Sequence, residues 1–496
     1  MSQESTTLPA NVLPDDIVQR TKIDKSTRLP VLFFFTSATA WLLIAGLLAL
    51  LNAVKMVDAG FLKSQFLSVG RVQPAYINAL VYGWAFQAGL GVMIWIMARL
   101  CRIELRNPIT LVVAGHFWNV GVTIGVAGIL GGFGNLQMMM LEFPPVVWPI
   151  LLVAYSLVIV WMIIMFSARR KGDVYISQWY ILAACFSWPW IYLVANSFLN
   201  IMKKAGIAGP LIASWYANNI IFLWMVPVGL ASAYFMIPKI TARPIHSYGL
   251  STLGFWSLFI LAPWTGAQAL IGGPVPVWLP AIAGAAQILL LISTLAVCIN
   301  HYQTVKGCHH LVTSSPTLRF TFFGSVGYVV TCVVAAVLCS STLSRFTSFS
   351  FAQDAIQLTG TYMFFSMMMF GAIYFIVPRI TGCEWLSGAR IRRHFWFNAY
   401  ACIFLCILTL VAGFSHGAGI DTWDTDFEAP ISFSSGYLVG IILAWLAIVI
   451  GNTGFAFHLL AMVSNRGRKA GTPTLIHNQS PYDAAEIMIT TEGAEA

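Results

Sequence analysis

Charge is scarce in this chain. Asp, Glu, Lys and Arg make up 9% of its 496 residues, where soluble domains carry roughly 25%. So few charges cannot cover a water-facing surface, which excludes a soluble globular protein. The formal net charge of +9 does not indicate nucleic acid, because the basic residues are dispersed among short segments between apolar runs and form no single patch. The nine cysteines include no C-x-x-C pair and no C-x-x-C-H, so a zinc ribbon, a dithiol redox pair and covalently attached haem are unsupported. No cleavable signal pattern precedes the first apolar run. No candidate span carries Asp, Glu, Lys or Arg at mid-membrane depth, where each costs roughly 2.5–3.5 kcal/mol. That argues against a proton-coupled pump or an ion-coupled carrier.

What the chain has is long continuous apolar runs, 58% of residues being hydrophobic. In lipid the backbone must satisfy its own hydrogen bonds, and runs of roughly 20 apolar residues without alternation favour helices over a barrel. The expectation is an all-α polytopic membrane protein of about twelve helices, near 29–54, 75–99, 109–132, 143–167, 175–202, 211–238, 247–272, 277–301, 317–342, 352–378, 395–418 and 432–462. Residues 1–28 and 463–496 are read as tails flanking a membrane domain over 29–462. No convincing internal repeat is seen, which weakens a carrier made of two matched halves.

Basic residues concentrate in alternate segments: Arg20 to Arg28, Arg99 to Arg106, Arg169 to Lys171, Lys239 and Arg243, Lys306 and Arg319, Arg379 to Arg393, and Arg466 to Lys469. The loops between hold fewer, and 419–431 is acidic through Asp421, Asp424, Asp426 and Glu428. The Lys/Arg bias of short loops therefore puts both termini in the cytoplasm.

Haem and copper sites in helical bundles need imidazole. His246, His301, His309, His310 and His394 fall in or beside basic loops, and His477 in the C-terminal tail, leaving His116, His416 and His458 near membrane depth. His116 and His416 are candidates for a haem b held between two helices, and packing is the expected role of each. The consecutive methionines Met138 to Met140 and Met367 to Met369 would point around a helix, so they are packing residues and not a thioether metal site.

Several ordered segments resemble subunit I of the C-family, or cbb3-type, haem–copper oxidases over roughly residues 30–462. They are Gly70-Arg71-Val72-Gln73-Pro74 with Asn78-Ala79; Trp215-Tyr216-Ala217-Asn218-Asn219; Pro238-Lys239 and Arg243 to Tyr248 with Phe255-Trp256; Leu318-Arg319-Phe320 through Tyr328; Phe370 to Tyr374 with Val377-Pro378-Arg379; and His394-Phe395-Trp396. The resemblance implies a twelve-helix bundle, a bacterial inner membrane, and partner membrane or cytochrome subunits of a respiratory complex. It also implies six histidines holding two haems and a copper. At those positions this sequence has Tyr76, Asn218, Gln268, Ala269, Ile356 and Leu358. Tyr328 falls where the family joins a tyrosine to a copper-ligating histidine, and with Asn218 in that histidine's place no such bond forms.

The resulting expectation is a non-catalytic homologue with no bound cofactor, serving a structural or assembly role. Two rivals stand beside it. One is a cytochrome c oxidase or nitric oxide reductase-like enzyme with a non-standard haem site. The other is a channel or carrier for a small neutral molecule, lined by Tyr76, Asn78, Asn218, Asn219 and Gln268.

Overall fold

In the computed structural model, residues 14–135, 138–170, 172–202, 206–348, 350–422 and 429–467 are described. The tail ends, Lys171, Lys203, Lys204 and the acidic Asp424, Asp426 and Glu428 lie outside them. The described residues contain twelve helices long and apolar enough to cross a membrane: α1 Val18–Val57, α2 Val69–Cys101, α3 Pro108–Gly131, α4 Val147–Ser167, α5 Ile176–Ile201, α6 Ala208–Thr241, α7 Tyr248–Leu270, α8 Trp278–Val305, α9 Pro316–Leu338, α10 Phe351–Thr381, α11 Gly388–Ile420 and α12 Phe433–Val463. An even number of crossings puts both ends of the bundle on one side, called here the near side.

Burial separates the helices into two classes. The apolar windows of α2, α6 and α10 are 100%, 94% and 100% buried, while the other nine are half buried or less. The three central helices pack against one another and the rest surround them. Each central helix carries a π-helical stretch, Ala79–Ala85, Ile221–Met225 and Thr359–Ser366, a widened turn that recurs at functional positions in helices.

This arrangement repeats along the chain, which corrects the sequence reading. Trp95, Phe235 and Phe375, each 140 positions after the last, meet with ring centroids 5.5, 5.9 and 6.4 Å apart. One turn later come Arg99, Lys239 and Arg379, and then left-handed caps at Arg102, Ala242 and Gly382, again at steps of 140. The ring contacts Tyr180–Tyr234 and Tyr180–Phe255 recur at the same step as Phe320–Tyr374 and Phe320–Phe395. The bundle is thus three related groups about a central triad, and not two halves.

Other expectations change because helices run past the ends of the apolar runs. The first helix extends back from the α1 span to Pro14. Asp24, placed in the N-terminal tail by sequence, is buried and accepts from Trp95 Nε1 at 2.8 Å and from Arg99 at 3.0 Å. Arg379, expected in a loop, is buried in the last turn of α10 with its guanidinium 3.5 Å from the Phe375 ring centroid. His301 and His394, expected in or beside loops, are buried inside the bundle. Met138 to Met140 lie in the turn after α3 and not on a helix, whereas Met367 to Met369 are fully buried in α10.

Candidate functional site

The six positions that the resemblance assigns to histidine all lie toward the far side of the bundle, and the repeat relates several of them. Tyr76, Tyr216 and Ile356 occupy one register of the three central helices, and Asn78, Asn218 and Leu358 the next register along, at steps of 140. Each set stands just ahead of a π-helical stretch.

Four of the six converge. Asn218, Gln268, Ala269 and Ile356 line one cavity of about 80 Å³ between α6, α7 and α10. Its polar groups are turned on each other. The Asn218 amide donates to Thr265 Oγ1 at 2.6 Å and to Gln287 Oε1 at 3.4 Å, and Gln268 Nε2 donates to the same Gln287 oxygen at 3.2 Å. Gln268 is aimed inward by the turn that precedes it. Gly266 has φ 113°, its N–H donates to Gln268 Oε1 at 2.5 Å, and a Cβ on it would lie 2.5 Å from the Trp215 backbone. Only glycine fits there. Gln287, the centre of this amide cluster, was missed from sequence, although a fully buried glutamine in an otherwise apolar helix is itself a signal.

Of the remaining two positions, Tyr76 on α2 packs against Trp445 of α12, and Leu358 on α10 stands one turn before Tyr362, which packs on the same ring. The Trp445 ring lies 5.9 Å edge-on from Tyr76 and 6.1 Å from Tyr362, one turn beyond Leu358. Below it a closed polar chain runs between α10, α11 and α12. Tyr374 donates to His394 Nδ1 (2.9 Å), His394 Nε2 to Asn452 Oδ1 (3.3 Å), Asn452 Nδ2 to the Tyr362 oxygen (2.7 Å), and the Tyr362 hydroxyl to Asn398 Oδ1 (2.7 Å). The His394 ring stacks on Phe455 at 4.9 Å. Both ring nitrogens are engaged by side chains, so this histidine serves packing and hydrogen bonding.

The third space, between α2 and α6, is filled by aromatic rings. Phe86 stacks on Trp224 at 3.7 Å and lies against Trp118 and Trp188. Tyr82 donates to Met140 O and accepts from the Tyr216 hydroxyl, both at 2.7 Å. At its far end Asn78 donates to Glu142 at 2.6 Å. Burial of this loop carboxyl raises its pKa to about 7, against the opposing pull of the Asn78 hydrogen bond.

His116 and His416 are not brought together. His116 is exposed on α3, donating from Nδ1 to Val112 O, with Phe33 beside it. His416 lies against Phe351 near the far end of α11. Counted from the near-side starts of their helices, the two differ in depth by 20 residues, or about 30 Å, too far for one iron. His458, the third histidine of that group, is buried against Trp385. Tyr328 is buried against Phe364.

These residues do not fit the groups that the resemblance implies. Small-molecule sites have roughly 300–1,000 Å³, against about 80 Å³ here. A planar group reaching from Tyr76 toward α10 would meet the Trp445 ring, which packs on Tyr76 and Tyr362. Neutral amides and alkyl side chains are poor donors to iron or copper. What the arrangement offers is hydrogen bonding to water or to a small neutral molecule.

Residues 29–446 match the family described as "Cytochrome C and Quinol oxidase polypeptide I". Among curated proteins the chain is similar to the "Cbb3-type cytochrome c oxidase subunit CcoN1" of Stutzerimonas stutzeri, 23% identical over 84% of this chain and 88% of that protein. It is also similar to a "Cytochrome c oxidase subunit 1 homolog" of Agrobacterium tumefaciens, 21% identical over 87% of this chain and 83% of that one. A third relative is the "Cytochrome c oxidase subunit 1" of Rhodobacter capsulatus, 22% identical over 77% and 74%. With a match over most of its length and twelve membrane helices, the chain is a multi-pass membrane protein that belongs to the cytochrome c and quinol oxidase polypeptide I family, as a cbb3-type subunit I-like member.

Proposed function

We propose that this chain is a non-catalytic subunit I homologue, acting as a structural or assembly subunit of a respiratory complex in a bacterial inner membrane, with both termini in the cytoplasm. One observation carries the reading: the positions Tyr76, Asn218, Gln268, Ala269, Ile356 and Leu358 offer no imidazole. Oxygen reduction needs iron and copper held at fixed places by nitrogen or sulfur donors. The packing of Trp445 against Tyr76 and Tyr362 supports it, since space left open at haem size would forfeit packing energy. The orientation rests on the Lys/Arg bias of the near-side loops.

The test is affinity purification of the full chain from membranes of a haem-replete host. Co-purification of membrane cytochrome subunits, with no oxygen uptake attributable to this chain, is the expected result. Recovery of the chain alone would remove the structural role, and oxygen reduction by the isolated chain would remove the non-catalytic one.

The amide-lined cavity at Asn218, Gln268 and Gln287 favours one further reading, a path for a small neutral molecule. Its test is solute uptake into liposomes containing the pure chain.

A further inference from the structure

We propose that the cleft between α11 and α12 is a binding site for an anionic phospholipid, its phosphate held by Arg390 and Arg393 and an acyl chain lying along the groove toward the far side. This inference is independent of whether the bundle centre binds a metal.

Two openings make up the cleft, and they share Phe397. The near-side one, about 470 Å³, has Arg390 and Arg393 at its mouth and Gly451 and Gly454 on the α12 side. The second, about 520 Å³, continues between Phe404 of α11 and Gly440 of α12 with almost wholly apolar walls. Absent side chains create the depth. A Cβ on Gly454 would meet nothing within 4 Å, so any larger residue there would project into the groove.

Length matches one leaflet. From Arg393 to Phe404 is 11 residues, or about 16 Å along the helix, and half the hydrocarbon core is about 15 Å.

Charge selects the head group. Arg390 and Arg393 are one turn apart on one helix face, both exposed, and neither makes a hydrogen bond or ion pair with a described residue. No carboxylate lines either opening. Two guanidiniums at the membrane boundary above an apolar slot suit a phosphodiester, which accepts paired N–H bonds, and basic pockets between membrane helices take anionic head groups in this way. A helix of a partner protein would fill the slot but would bring no anion to the arginines unless it also carried an acidic residue at that depth. The amphiphile supplies both features in one molecule.

The test uses the purified full chain exchanged into detergent with dioleoylphosphatidylglycerol or dioleoylphosphatidylcholine, with retained lipid counted by native mass spectrometry. Two variants are compared: R390A/R393A, which removes the anion clamp, and G454L, which blocks the groove and keeps both arginines. All three positions are exposed, so unchanged thermal midpoints are expected. Wild type is expected to retain the anionic lipid about tenfold better than the zwitterionic one, and each variant is expected to lose that retention by a similar factor. Equal retention of the two lipids, or unchanged retention in either variant, would overturn the proposal. So would a photo-crosslinker at Phe397 that captures a polypeptide instead of lipid in native membranes. Competition by inorganic phosphate alone, with no effect of G454L, would reduce the site to a surface anion contact and likewise overturn it.

Discussion

Replacing Trp445 by alanine tests whether the space between Tyr76 and Tyr362 is packed solid. Trp445 is 4% exposed, and its ring is the link between Tyr76 on α2 and Tyr362 on α10. Truncating a buried Trp or Phe to Ala costs about 3–5 kcal/mol, part of it for the cavity left behind. Within a bilayer helices associate through packing more than through exclusion of water, so the lower end, about 3 kcal/mol, is expected. W445F keeps a ring against both tyrosines and should cost less than about 1.5 kcal/mol. Denaturation of the purified chain in mixed micelles, followed by tryptophan fluorescence for both variants under one condition, gives the difference. A loss below about 1 kcal/mol for W445A would refute the reasoning, because it would mean that the ring borders open space and that room for a planar cofactor exists beside it.

Two further outcomes follow from buried polar groups. D24N should destabilise the chain by about 3–5 kcal/mol, since it leaves Arg99 buried opposite a neutral amide. The D24N/R99M pair should cost less than the sum of its parts, and simple additivity in the same denaturation assay would contradict the coupling. Glu142 gives a pH signature. Its carboxyl holds its proton up to about pH 7 in the folded chain and to roughly pH 4.3 when unfolded. Stability from the neutral form is therefore complete below the unfolded value and lost as pH rises through about 7, amounting to about 4 kcal/mol. Wild type should weaken relative to E142Q between pH 4.5 and 7.5, and parallel profiles would show that burial does not govern this group.

The twelve crossings were readable because each is an uninterrupted apolar run of membrane length. Their ends were not, because the helices continue into polar sequence wherever the bundle supplies partners. Asp24 looks like a tail residue until Arg99 and Trp95 are placed beside it. His394 follows three nearby arginines in sequence, yet the helix turns it toward Tyr374 and Asn452. The threefold repeat left a trace that was overlooked: Pro238-Lys239-Ile240-Thr241 returns as Pro378-Arg379-Ile380-Thr381, and Phe255-Trp256 as Phe395-Trp396, all at steps of 140. In the first group neither of these two motifs recurs, although Tyr76, Asn78 and Trp84 return as Tyr216, Asn218 and Trp224, so a search for two halves misses the repeat. The π-helical stretches left no sequence signal, since they arise from how three central helices accommodate one another.

The six positions that the resemblance assigns to histidine were placed from local motifs alone. What those motifs did not convey is how the interior is filled. Gln287 and Trp445 come from helices distant in sequence, and only the packing of α8 and α12 brings them to the cavity and to Tyr76.

The most direct measurement is the haem content of the purified full chain expressed with haem in excess, by the pyridine haemochrome spectrum set against protein mass. The expected value is below about 0.1 haem per chain, with no Soret band, because Tyr76, Asn218, Gln268, Ala269, Ile356 and Leu358 provide no axial pair. One or two b-type haems per chain would contradict the account.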